Sequence, residues 1–183
     1  MLPSTVPMVR LFSLSSRRAS VRGESVVPTA IFLLGYLLVW TGFSVGATIL
    51  QALLRDLALL SPMLVIENRV LAATVLLLAG LYQFSRVKLA CLAHCQSPLQ
   101  FLLHFWRNGR SGAVVMGFRH GAYCLGCCWA LMLLLFVVGV MNLKWVLVLA
   151  VLVLLEKTLP RLRWLPSALG FVFIGWALYL LVR

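Results

Sequence analysis

Residues 26–50 read VVPTAIFLLGYLLVWTGFSVGATIL, with no charged side chain. About 20 apolar residues in a helix cross the hydrocarbon core of a bilayer, where every backbone N–H and C=O must be satisfied within the segment. The run is therefore expected to be a transmembrane helix, with Pro28 in its first turn, where a missing N–H does no harm. It is too long for a signal-peptide core and follows some 25 mostly polar and basic residues, so it reads as retained. Further apolar runs occupy residues 70–84, 122–141, 145–155 and 164–182. The second is short, and extending it back through residues 63–66 would draw in Glu67, Asn68 and Arg69. The fourth is expected to continue through Glu156 toward Leu159.

The expected fold is all-α, a multi-pass transmembrane bundle of about five helices. Residues 26–183 would form one membrane domain behind a polar, basic segment, residues 1–25, whose SLSSRRASVRGES stretch suits a mobile loop. Composition supports a lipid environment. Of 183 residues, 63% are hydrophobic and 11% charged, and mean hydropathy is +1.05. A soluble domain carries about 25% charged residues, so this chain could not cover a water-facing surface.

The 16 Lys and Arg against 4 Asp and Glu give a net charge of +12. The basic residues lie between apolar runs and not among the aromatic ones, so lipid headgroups, not nucleic acid, are the expected counter-charge. Arg10, Arg17, Arg18 and Arg22 precede the first run. Arg86, Lys88, Arg107, Arg110 and Arg119 follow the second, and Lys157, Arg161 and Arg163 follow the fourth. Only Arg55, Arg69, Lys144 and Arg183 fall on the other side. The positive-inside rule makes the first three segments cytoplasmic, in the inner membrane of a cell.

All five cysteines lie in two clusters on that side. CLAHCQSPL places Cys91, His94 and Cys95 at i, i+3 and i+4, one face of a helix that Pro98 should end at Ser97. HGAYCLGCCWALM places His120, Cys124, Cys127 and Cys128 within an arc of roughly 100° on one helix, with Met116 and Asn142 on or beside the stripe. A single membrane cysteine is usually a packing residue. Five in two His-containing groups point to a ligand. The odd count and the reducing cytoplasm argue against disulfides. Thiols suit Cu(I) or Zn(II), and spacing does not choose between these metals. Buried charge is costly in lipid, so an empty site should be mostly protonated thiol. His104, alone in FLLHFW, reads as interfacial or core. Glu156, the one acid in the fourth run, should lie level with residues 128–131 if the third and fourth helices pack as a hairpin. It would then orient, or accept a proton from, His120 or a cysteine, the alternative being an ion pair with Lys157 or Arg161.

At GYLLVWTGFSVGA, LYQFSRVKLACLAHCQSPL, and the block from MGFRHGAYCLGCCWALM through MNLKW to LEKTLP, the chain resembles a family of predicted metal-binding integral membrane proteins. The HGxYCLGCCW block is highly specific, and the likeness covers most of residues 1–160. Some members are described as copper chaperones serving copper oxidases, so the resemblance implies copper handling and a copper-dependent oxidase as partner. Carried over residue by residue, it implies metal-site roles for Cys91, His94, Cys95, His120, Cys124, Cys127 and Cys128, with Asn142 and Glu156 in support. Relatives with an N-terminus like MLPSTVPM have a Met-rich apolar helix running into it, so this sequence is expected to lack an N-terminal helix.

The expected function is non-enzymatic metal binding in the membrane, with Cu(I) first and zinc as the alternative ion. Two competing readings are a membrane thiol-disulfide oxidoreductase using Cys124 and Cys127, and a structural subunit of a larger complex. The C-x-x-C spacing carries redox meaning near a βαβ unit, a context missing here. A haem held by His94 and His120 would leave five cysteines without a task.

Overall fold

The computed structural model describes residues 5–21, 27–61, 64–159, 162 and 164–182. Among the described residues the fold is all-α, with nine helices and one isolated antiparallel bridge between Leu60 and Ile66. Glycine sets its closest packing. α2 (Thr29–Asp56) and α6 (Gly109–Leu133) touch backbone to backbone. A methyl on Gly35 would collide with the Val114 carbonyl, and one on Gly117 with the Phe32 carbonyl. Small residues at such crossings let two helices gain dispersion contact along their length, the main attraction available between helices in lipid. α3 (Arg69–Gln83) and α9 (Leu165–Val182) repeat the device, with Gly80 against the Gly170 carbonyl.

Three helices are long and apolar enough to cross a membrane: α2, α9, and α6 extended by the short α7 (Leu135–Val138). This differs from five full spans. The second expected run is α3, only 15 residues long, and it continues after a 61° bend into α4 (Arg86–Gln96). The pair passes as a fourth span only when taken together. α3 cannot extend backwards because Asn68 caps it, its Oδ1 accepting from the Leu71 N–H at 3.0 Å. Met63 lies outside the described residues. The fourth run is α8 (Leu143–Thr158), 16 residues and about 24 Å long, shorter than a bilayer core.

Two other expectations are corrected. The SLSSRRASVRGES stretch is not a loop over residues 13–21, which belong to a helix, α1 (Val6–Val21), and residues 22–25 lie outside the described residues. Met8 and Phe12 are buried with Phe32, Phe101 and Met116, and the Ser16 hydroxyl both donates to the Val27 carbonyl and accepts from its N–H. Apolar residues one turn apart outweigh the polar composition there. The connection after α3 is helical, as the i, i+3, i+4 spacing of Cys91, His94 and Cys95 expects. Ser85 caps α4, which stops at Gln96, before Ser97 and Pro98 as the Pro98 argument requires. α5 (Pro98–Phe105) follows and buries Phe101 and Leu102 while exposing Leu99 and Leu103. Finally, the third span begins at Gly109, well before residue 122, and breaks at Leu134 before Gly139, which takes φ +96°. Arg110 and Arg119 did not stop this helix because both face outward, Arg119 lying 4.6 Å from the Phe105 ring. Gly112, Ala113, Met116 and Gly117 on the other side are buried.

Candidate metal centre

α4 folds back along α6, and the two cysteine clusters meet. The stripe His120, Cys124, Cys127, Cys128 and Leu131 forms the buried face of α6. From α4, Cys91 and Cys95 pack against the buried cluster that contains Cys127 and Cys128. Cys91 is the outer member. Its Sγ packs over Gly126, where an added methyl would come within 2.8 Å of it. All five thiols are free.

The sulfurs are held by partners of their own. Cys127 and Cys128 donate to the Cys124 carbonyl, at 3.1 and 3.0 Å. Cys124 Sγ lies 3.4 Å from the Tyr36 hydroxyl and accepts from Lys157 Nζ at 2.8 Å. Lys157 also reaches Cys128 Sγ at 3.8 Å. Among the described residues no three His, Cys, Asp or Glu side chains are already arranged around a common metal position. Two of the thiols are turned back to the backbone, and a χ1 rotation, the softest motion available to a cysteine, would redirect them.

The histidines fall at different depths. His120 is buried one turn before Cys124, between Phe32, Tyr36 and Phe101, and its Nδ1 has no hydrogen-bond partner among the described residues. A buried ring nitrogen without a partner is costly, and this one lies beside soft ligands. His94 is half-buried at the edge. It stacks on Tyr123 with ring centroids 4.4 Å apart and planes 8° apart, while its Nδ1 donates to the Ala90 carbonyl at 2.9 Å. His104 is exposed on α5 and does not join the sulfurs.

Glu156 does not turn toward His120 or a cysteine. Both its carboxylate oxygens accept from Lys88 Nζ, at 3.0 and 2.8 Å, with both side chains 1% exposed. Its own carbonyl accepts from Gln96 Nε2 at 2.7 Å. Glu156 thus ties α8 to both ends of α4, holding Cys91 and Cys95 over α6. The neighbouring Lys157 faces the sulfurs instead, and Arg161 lies outside the described residues. Asn142 is not brought to the cluster. It is exposed, preceding the first turn of α8 at the end opposite Glu156.

Sequence reasoning missed Lys88, Lys157, Tyr36 and Gln96. In the sequence both lysines read as surface cations, because flanking charges normally mark the membrane edge. The signal available was that Lys157 follows Glu156 and that two adjacent ionisable residues on an apolar helix cannot both face lipid.

The arrangement suits a soft cation. Several thiols can supply thiolate ligands, Lys157 supplies a fixed positive charge beside them, and the Lys88–Glu156 pair adds none overall. No curated protein and no solved structure matches the chain. A family model described as copper chaperone (PpoB2) matches residues 1–180, nearly the full length, and the chain belongs to that family.

Proposed function

We propose that the protein is an integral membrane copper chaperone that carries Cu(I) in the pocket between α4 and α6 and passes it to a copper-dependent oxidase. The observation that carries this reading is the packing of Cys91 and Cys95 on α4 against the α6 face that holds Cys124, Cys127 and Cys128, beside the Lys157 ammonium. Two thiolates around Cu(I) leave one negative charge, which Lys157 balances. Buried net charge costs about 2.5–3.5 kcal/mol in lipid, so this balance bears on which ion the pocket accepts. His120 Nδ1 is a further donor on the same stripe, and Cys91 and His94 stand at the outer edge. Zinc is the alternative ion, since three thiolates around Zn(II) would also balance Lys157. By the positive-inside distribution of Arg and Lys, the pocket opens toward the cytoplasmic face.

The test is anaerobic titration of the purified protein with Cu(I) against a cuprous chelator, repeated with Zn(II). Tight binding of Cu(I) is expected in the wild type, and its loss in a Cys124→Ser, Cys127→Ser double variant that still inserts. Serine keeps the size but is a hard, poorly ionised ligand. Undiminished metal binding by that variant would return these cysteines to packing. Preference for Zn(II) would make zinc the cargo.

A further inference from the structure

His104 is unused by the pocket, yet it shares a cleft with His94. This opening, of about 260 Å³, lies between the end of α4 and α5 and is also lined by Ser97, Gln100 and Phe101. The two imidazoles are held alike. His94 Nδ1 bonds the Ala90 carbonyl at 2.9 Å, and His104 Nδ1 bonds the Gln100 carbonyl at 3.0 Å. A carbonyl only accepts, so the proton of each neutral ring sits on Nδ1 and the lone pair on Nε2. An Nδ1–H tied to a backbone carbonyl is the arrangement that orients a metal-binding histidine. The cleft also adjoins the sulfur pocket. His94 precedes Cys95 in the chain and stacks on Tyr123, which precedes Cys124.

We propose that His94 and His104 form a second, weaker Cu(I) site at the mouth of the sulfur pocket, where the ion is first received. The inference rests on the copper reading above. Two neutral imidazoles can hold Cu(I) in linear two-coordination, and thiolates, being softer, hold it more tightly. Transfer inward is therefore downhill. No electron moves: Cu–N bonds give way to Cu–S bonds, the imidazoles leave neutral, and each thiol that becomes a ligand releases its proton. His94, which lines the cleft and directly precedes Cys95, is the shared residue, and His104 belongs to the mouth alone.

The test uses the full chain in detergent under anaerobic conditions, with Cu(I) supplied as a weak chelator complex. Wild-type protein should take up one tight equivalent and a second, weaker one whose X-ray absorption spectrum reports nitrogen neighbours. His104→Ala, an exposed position whose loss leaves the core intact, should lose the weaker equivalent. It should also load the tight site about tenfold more slowly or worse, with the final tight content unchanged. His104→Cys, which restores a soft ligand, should recover the rate. Wild-type stoichiometry and rate in His104→Ala would overturn the mouth site and leave the sulfur pocket standing. Slow loading that His104→Cys does not rescue would overturn it too, since the effect would then be structural. Failure of the wild type to bind any Cu(I) would remove both readings.

Discussion

At the scale of single residues, Lys157 carries the electrostatics. Its ammonium lies 2.8 Å from Cys124 Sγ in a pocket with almost no water exposure. Lys157→Met keeps most of the apolar stem and removes the charge, leaving a two-thiolate Cu(I) complex with an unbalanced negative charge. The penalty of about 2.5–3.5 kcal/mol corresponds to a weakening of roughly a hundredfold. Competition titration reads this directly, and wild-type affinity in Lys157→Met would mean that the charge is neutralised elsewhere. No local pattern relates Lys157 to a sulfur, and a basic residue at a helix end reads by default as an interfacial anchor. The thiols themselves were legible, because their grouping with histidine on one helical stripe is a local pattern. Asn142 was carried over with them, and the break in the helix at Leu134 separates it from that stripe.

Among the elements, the position of α4 decides whether the two cysteine groups form one pocket. Lys88 and Gln96 fasten it to Glu156 on α8. Removing one member of a buried pair leaves a lone charge and costs about 3–5 kcal/mol, whereas replacing both by apolar groups is often near neutral. Glu156→Gln should therefore lower unfolding stability in detergent by that order and loosen copper retention. A Lys88→Met, Glu156→Met double variant should recover most of the stability. Equal stability of Glu156→Gln and wild type would show that the pair is not a clamp. The tether of α4 is not readable from the sequence, since Lys88 and Glu156 lie 68 residues apart. The end of α4 at Gln96 was legible from Pro98, a short-range steric rule. Between α2 and α6, Gly117→Ala should cost about 1–3 kcal/mol, because the new methyl meets the Phe32 backbone. Gly42→Ala on the same α2, with nothing within 4 Å, should be neutral or slightly stabilising. Thermal unfolding of the two variants side by side separates them, and equal midpoints would contradict the close crossing.

For the whole molecule, apolar runs make an all-α bundle with helices apolar enough to cross a membrane readable from the sequence, but not how many helices are long enough to do so. Hydropathy marks a run's composition and is blind to which face is buried. It therefore clipped α6, where Arg110 and Arg119 point outward, and counted α8 as a span although it is 16 residues long. The resulting molecule pairs α2 with α6 and α3 with α9, and places α4 and α8 over the middle of α6, where the sulfurs gather. Its central claim is that this gathering holds copper. Copper K-edge X-ray absorption on anaerobically loaded full-length protein measures that most directly. The account predicts a Cu(I) edge with sulfur neighbours that disappear in the Cys124→Ser, Cys127→Ser variant. A spectrum of nitrogen and oxygen neighbours alone, unchanged in that variant, would contradict it.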